Sequence, residues 1–204
     1  GIATTGAHQT SRGGGSWNAF LVKFNSSGTR QWGTYYGGTA GEAAYHCATD
    51  ASGNVYLTGE SKSTTGIATT GAHQTSKGSL EDAFLVKFNS SGVRQWGTYY
   101  GGSGNDYGKS CATDASGNVY LVGDARNSTT GIATTGAHKT IRGGIRDAFL
   151  VKFNSSGVRQ WGTFYGGSGD DKGGSCATDA SGNVYLAGDA SSTTGIATTG
   201  AHQT

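Results

Sequence analysis

A tandem repeat constrains this chain more than any other feature. The octapeptide Gly-Ile-Ala-Thr-Thr-Gly-Ala-His begins at Gly1, Gly66, Gly131 and Gly195, giving periods of 65, 65 and 64 residues. The 204 residues divide into units 1–65, 66–130 and 131–194, with 195–204 opening a fourth. Each unit carries Ala-Phe-Leu-Val-Lys-Phe-Asn (19–25, 83–89, 148–154), then Ser-Ser-Gly, then Arg-Gln-Trp-Gly-Thr (30–34, 94–98, 159–163). Cys-Ala-Thr-Asp-Ala-Ser-Gly-Asn-Val-Tyr-Leu closes the set (47–57, 111–121, 176–186). One unit is therefore one supersecondary module.

These segments read as strands, being short, rich in Val, Phe, Tyr, Trp and Thr, and bounded by Gly, Ser, Asn and Asp. No stretch shows a helical apolar period. Phe20, Val22 and Phe24 alternate with Leu21 and Lys23, so both faces of that strand are largely covered by neighbours. Asn25-Ser26-Ser27-Gly28 and Asp50-Ala51-Ser52-Gly53-Asn54 supply residues that tolerate left-handed backbone, as two tight hairpins per unit require. Glycine, threonine and serine number 38, 27 and 22, leaving too little apolar bulk for a unit to bury its faces alone. Repeated four-stranded antiparallel units of this kind match β-propeller blades better than a sandwich, which has no reason to repeat. The unit exceeds the usual 40 to 50 residues of a blade, and the excess is a Ser/Thr/Gly-rich stretch expected to form a surface excursion.

The succession Thr-Thr-Gly-Ala-His-Gln-Thr, Asp-Ala-Phe-Leu-Val-Lys-Phe-Asn-Ser-Ser-Gly, Gly-Thr-Tyr-Tyr-Gly-Gly-Ser-Gly-Asn-Asp-Tyr-Gly and Asp-Ala-Ser-Gly-Asn-Val-Tyr-Leu resembles the bacterial SBBP β-propeller repeat over essentially the whole chain. The Cys-Ala-Thr-Asp-Ala-Ser-Gly-Asn-Val-Tyr segment is also similar to the inner hairpin of NHL-type blades. That resemblance implies strand A around Cys111, B at 118–123, C at 83–89 and D at 94–100, with A and B of one unit joined to C and D of the unit that follows. The chain would then begin with the outer half of one blade and end with the inner half of another. Family resemblance further implies a secreted or surface-exposed bacterial protein with no characteristic reaction. The complete absence of proline departs from the family pattern.

Three recurrent groups are candidate sites. Gly101-Gly102-Ser103-Gly104-Asn105-Asp106 and Gly166-Gly167-Ser168-Gly169-Asp170-Asp171 match the first six positions of the calcium-binding β-roll nonapeptide. Gly108 and Gly173 stand where that motif needs a large apolar residue, and the long period excludes a β-roll. A hard-cation site at Asp170, Asp171, Asn105, Asp106 and Glu42 remains chemically open, beside the alternative that these groups cap backbone N–H. Calcium affinity would fall from the third copy to the first with the number of carboxylates. Trp32, Trp96 and Trp161, together with the unmatched Trp17, are candidate sugar platforms, although packing between blades is the commoner use of such rings. His8, His73, His138 and His202 recur with no nucleophile at catalytic spacing, and a residue repeated in every unit suits a loop contact better than a single active site.

Cys47, Cys111 and Cys176 occupy one equivalent position per unit, too far apart for disulfides, and read as free thiols of apolar type. Fifteen basic and thirteen acidic residues are scattered singly, leaving no basic stripe for nucleic acid. No apolar run exceeds four residues, against roughly 20 for a membrane-spanning helix. The expected protein is non-enzymatic, extracellular and cofactor-free apart from calcium. It would act as a structural or adhesive scaffold whose halves pair head to tail between copies, the alternative being a lectin-like propeller with one site per blade. Because 1–10 and 195–204 repeat one segment, the sequence is expected to continue beyond Thr204 with another Ala-Phe-Leu-Val.

Overall fold

Two side-chain-capped turns fold each unit back on itself. Asn25 Oδ1 accepts from the N–H of Ser27 and Thr29 at 3.0 and 2.8 Å while Gly28 takes φ 75°. Asp50 does the same for Ser52 and Asn54, and its second oxygen takes the Asn54 amide at 2.8 Å. Every copy repeats both turns, and the strands they join are as expected.

The computed structural model describes residues 1–78 and 80–202; the last two positions of the fourth-unit start, Gln203 and Thr204, lie outside it. Twelve strands and no helix occur among the described residues. They are β1 (Ala19–Phe24), β2 (Arg30–Tyr36), β3 (Glu42–Thr49), β4 (Val55–Ser61), β5 (Asp82–Phe88) and β6 (Arg94–Tyr100). The others are β7 (Asn105–Thr113), β8 (Val119–Arg126), β9 (Arg146–Phe153), β10 (Arg159–Tyr165), β11 (Asp171–Thr178) and β12 (Val184–Ala190). Strands β3-β4-β5-β6 and β7-β8-β9-β10 form four-stranded antiparallel sheets, while β1-β2 and β11-β12 form two-stranded sheets. Each complete sheet takes its first hairpin from one unit and its second from the next.

The core lies between sheets. Tyr56, Leu85, Tyr100, Leu121, Phe149, Val151 and Phe153 form one cluster, and Leu21, Tyr36, Phe84, Val86, Phe88 and Tyr99 another. Strand β5 sends Phe84, Val86 and Phe88 to one cluster and Ala83 and Leu85 to the other, so it is buried throughout. The innermost strands also touch across sheets: the Thr113 hydroxyl donates to the Thr49 carbonyl and that of Thr178 to the Thr113 carbonyl, both at 2.8 Å.

The Ser/Thr/Gly-rich excursion is less superficial than its composition suggests. Ile67 and Ile132 are fully buried, and their carbonyls accept from the hydroxyls of Tyr36 and Tyr100 at 2.6 and 2.5 Å. The same stretch lies along the outer strand of its sheet, with Thr69 N–H donating to Gly97 and Tyr99 N–H to Gln74. It thereby covers backbone groups that an edge strand would otherwise present.

Candidate functional site

The joints between successive sheets gather most of the chemically interesting residues. Each joint starts where the outermost strand of one sheet, through a Gly-Gly turn, enters the innermost strand of the next. Glu42, Asp106 and Asp171 sit there, all buried. Glu42 accepts from Asn18 Nδ2 at 2.6 Å, Gly38 N–H at 3.1 Å and the hydroxyls of Ser61 and Ser63. Asp106 accepts from Gly102 N–H at 2.8 Å and Ser128 Oγ at 2.7 Å. Asp171 accepts from Gly167 N–H at 2.7 Å, from the N–H groups of Ser191 and Ser192 at 3.1 Å and from Ser192 Oγ at 2.6 Å. Each carboxylate thus ties the Gly-Gly turn to the connection that follows the second strand of its sheet.

The electrostatics of the three differ. Burial pushes Asp106 up to about 7 against the Gly102 and Ser128 donors, with the neighbouring Asp82 carboxylate adding to the rise. Burial also acts on Asp171, but donors from Ser192, Gly167 and Ser191 outweigh it and hold that carboxyl below its usual range. Asp170 is exposed, and the groups it gives Ser191 are its backbone N–H and carbonyl, so Asp170 and Asp171 are not brought to one point. Asn105 opens β7 opposite Arg126. Among the described residues no group of three or more His, Cys, Asp or Glu is placed to hold a metal ion.

The tryptophans mark the same joints on the outer side. Trp32 Nε1 donates to the Ser90 carbonyl at 3.0 Å and Trp96 Nε1 to that of Ser155 at 3.1 Å, and Lys23 and Lys87 reach the same two acceptors. Glycine makes this approach available: a Cβ on Gly92 or Gly157 would lie 2.8 Å from the indole of Trp32 or Trp96. Trp96 also packs against Tyr56 and Phe153, and Trp161 against Tyr120. Trp32 and Trp96 thus fasten onto the following sheet, Trp161 packs on Tyr120 within its own sheet, and Trp17 is 76% exposed. A polar cleft of about 400 Å³ lies beside Trp96, lined in part by Thr69, His73, Gln95 and Arg159. Its counterpart of about 380 Å³ lies beside Trp32, lined in part by Thr4 and Gln31.

The matching between units is also visible against known proteins. Residues 95–128 match the family model described as beta-propeller repeat, SBBP. That segment is an SBBP-type β-propeller repeat. The matched segment runs from Gln95 in β6 through β7 and β8 to Ser128, so it spans one whole joint, including both ends of the Asp106–Ser128 contact. No curated protein matches the chain.

The histidines of the repeated loop pack as rings instead of acting as hydrogen-bonded loop groups. His8 lies against Tyr36 and Phe88, His73 against Tyr100 and Phe153, and His138 stacks on Tyr165. Burial, aided by the charges of Arg94 and Arg159, lowers His8 and His73 to about 4. His202 is exposed. The cysteines are free, with Cys111 buried, Cys176 half-buried and Cys47 exposed on the open side of β3. Burial raises the thiols of Cys111 and Cys176, the latter to about 11, so neither is a ready thiolate. Sequence reasoning missed Asn18, Asp82 and Asp147, which stand beside Glu42, Asp106 and Asp171 at the joints; their signal was a polar residue immediately before every Ala-Phe-Leu-Val.

Proposed function

We propose that this chain is a non-enzymatic, extracellular bacterial scaffold. Its two half-sheets join head to tail between copies, β12 of one copy pairing with β1 of the next to complete a four-stranded blade. The observation that carries this is the pair of unmatched edges. Interior sheets pair β4 with β5, Val55 opposite Phe88 through Ser61 opposite Asp82. Strands β12 and β1 hold the equivalent sequences, so the same ladder would set Val184 opposite Phe24 and Asp189 opposite Ala19. An open cleft of about 310 Å³ lines the β12 side, formed by Leu186, Ala187, Gly188 and Ile196 among others. Filling it with Phe20 and Val22 would repeat the interior packing, and the Trp161 indole would meet the Ser26 carbonyl of the incoming hairpin as Trp96 meets Ser155. With two complete and two half blades per chain, two copies would supply six blades if the rotation closes, and a filament would grow if it does not.

Register is the feature to test. Asp189→Cys with Ala19→Cys, in a background lacking the three native thiols, is expected to give intermolecular disulfides under mild oxidation. Cysteines moved two residues out of register, Ala187→Cys with Ala19→Cys, should not. Equal cross-linking of both pairs, or of neither, would refute the composite blade.

A second reading, a carbohydrate-binding propeller with one site per blade, is favoured by the recurrence of the polar cleft beside Trp32 and Trp96. Glycan-array binding competed by a free sugar and weakened by Gln95→Ala would support it. An empty array would remove it.

A further inference from the structure

The three joints perform one task with three different charge sets. In the first, neutral Gln9 accepts the Gly37 N–H, and Asn18 donates its amide to Glu42. In the third, Lys139 takes the place of that glutamine and binds Asp147 at 2.7 Å, next to Asp171. The second combines the neutral member of one with the acidic pair of the other. There Gln74 donates to Asp82 at 2.9 Å, and Asp82 faces Asp106. Both acids are buried, and their proximity is geometric: a Cβ on Gly101 would lie 2.7 Å from Asp106 Oδ2 and 2.8 Å from Asp82 Oδ2. Two carboxylates converging on one desolvated glycine cannot both ionise cheaply.

The first joint shows what fills the gap. Asn18 is nearly isosteric with a protonated aspartic acid, and its amide hydrogen sits where an acid proton would, donating to the neighbouring carboxylate. The third joint shows the other remedy, a cation. We propose that Asp82 and Asp106 share a single proton and that its loss to solvent loosens the middle joint.

The groups around the pair support the assignment. From the connection before β5, the Gln74 amide and the Gly78 N–H donate to Asp82, and Glu81 offers its carbonyl to the Asp106 N–H. The Glu81 carboxylate itself is held by Lys62 and the Tyr107 hydroxyl. From β6, Tyr99 and Tyr100 point their hydroxyls to the carbonyls of Ser63 and Ile132, and Arg159 acts on Tyr100. Ser128 donates from the connection after β8. With the proton present the pair carries one negative charge. Without it the charge is two, and repulsion acts on the contacts that fasten Asp106 to Gly102 and Ser128.

Carboxyl carbon NMR titration of the intact chain tests this directly, because it reads the joint itself and not overall stability. The pair is expected to titrate with an apparent midpoint near 7 at Asp106. Gln74→Lys rebuilds the third joint and Asp82→Asn the first; each is expected to lower that midpoint by roughly one to three pH units. Amide exchange at Gly102 is expected to accelerate through the transition relative to Gly167 in the third joint. Titration of Asp106 below about pH 5 in the unsubstituted chain would overturn the proposal. So would an unmoved midpoint in folded Gln74→Lys.

Discussion

Strands β1 and β5 carry the same six residues, Ala-Phe-Leu-Val-Lys-Phe, in the same register against their following strands, yet their surroundings are opposite. Phe84 and Phe88 are fully buried, while Phe20 and Phe24 are 54% and 59% exposed. The difference comes entirely from neighbours: β5 has β4 on its free edge and a sheet on each face, and β1 lacks the strand and one of the sheets. In a solenoid-like array the apolar pattern of a unit specifies only what it could bury, and the adjacent units decide what it does bury.

That contrast can be broken or sharpened by substitution. The largest effect is expected from Phe84→Ala, which empties a filled core position and should cost about 3–5 kcal/mol in urea unfolding. Phe20→Ala should cost under about 0.5 kcal/mol in dilute monomer but weaken association strongly. Equal losses for both in the monomer would mean that β1 is covered within one chain.

Next in size is the turn glycine. Gly28, Gly92 and Gly157 all adopt φ between 75° and 81°. A Cβ at Gly28 meets nothing within 4 Å, whereas at Gly92 it meets Trp32 at 2.8 Å. Gly28→Ala should cost only left-handed strain, about 1 kcal/mol, and Gly92→Ala measurably more, because an indole packed between sheets must also shift. Matching costs would show that Trp32 moves freely and that the joint is loose.

Smaller still is a pH effect from the histidines. His8 and His73 are held neutral to about pH 4, below the unfolded value of 6.5, so the unfolded chain binds more protons between those limits. Their contribution is therefore complete above pH 6.5 and is lost as the pH falls through 4. The shared proton at Asp106 works in the opposite sense, favouring the fold on the acidic side and losing that contribution as pH rises through 7. His73→Phe should flatten the acidic fall of the urea midpoint while leaving the neutral side unchanged. An unaltered acidic limb would show that His73 becomes charged in place.

The smallest effect expected is that of calcium. Because Glu42, Asp106 and Asp171 already accept from protein N–H and O–H donors, chelator should leave the melting temperature where it is. A rise on adding calcium, abolished by Asp171→Asn, would instead place an ion at the third joint.

Much of this was legible in the sequence for a local reason. Asn25 and Asp50 carry their turns within five residues, and the Phe-Leu-Val alternation carries a strand within six, so pattern and structure are the same distance apart. Contacts that cross from sheet to sheet left no such trace. Asp82 meets Asp106 from 24 positions away, Tyr36 reaches the Ile67 carbonyl across 31 and Cys111 meets His46 across 65, distances at which no spacing rule operates. The burial of Ile67 was hidden by its Ser/Thr/Gly-rich surroundings, whose composition suggests surface although its backbone runs against an outer strand. The glycines that receive the indoles of Trp32 and Trp96, Gly92 and Gly157, each lie in the following unit.

Everything about assembly rests on the open edges of β1 and β12 being complementary to one another. The native mass of the purified chain by sedimentation velocity tests that most directly. The expected result is a dominant species at a multiple of 20.7 kDa, two copies if the ring closes, that reverts to single chains when Val22→Pro removes an N–H from the open edge of β1, Leu21 having its own N–H turned toward Thr34 of β2. A monodisperse particle of 20.7 kDa at concentrations far above micromolar would contradict it.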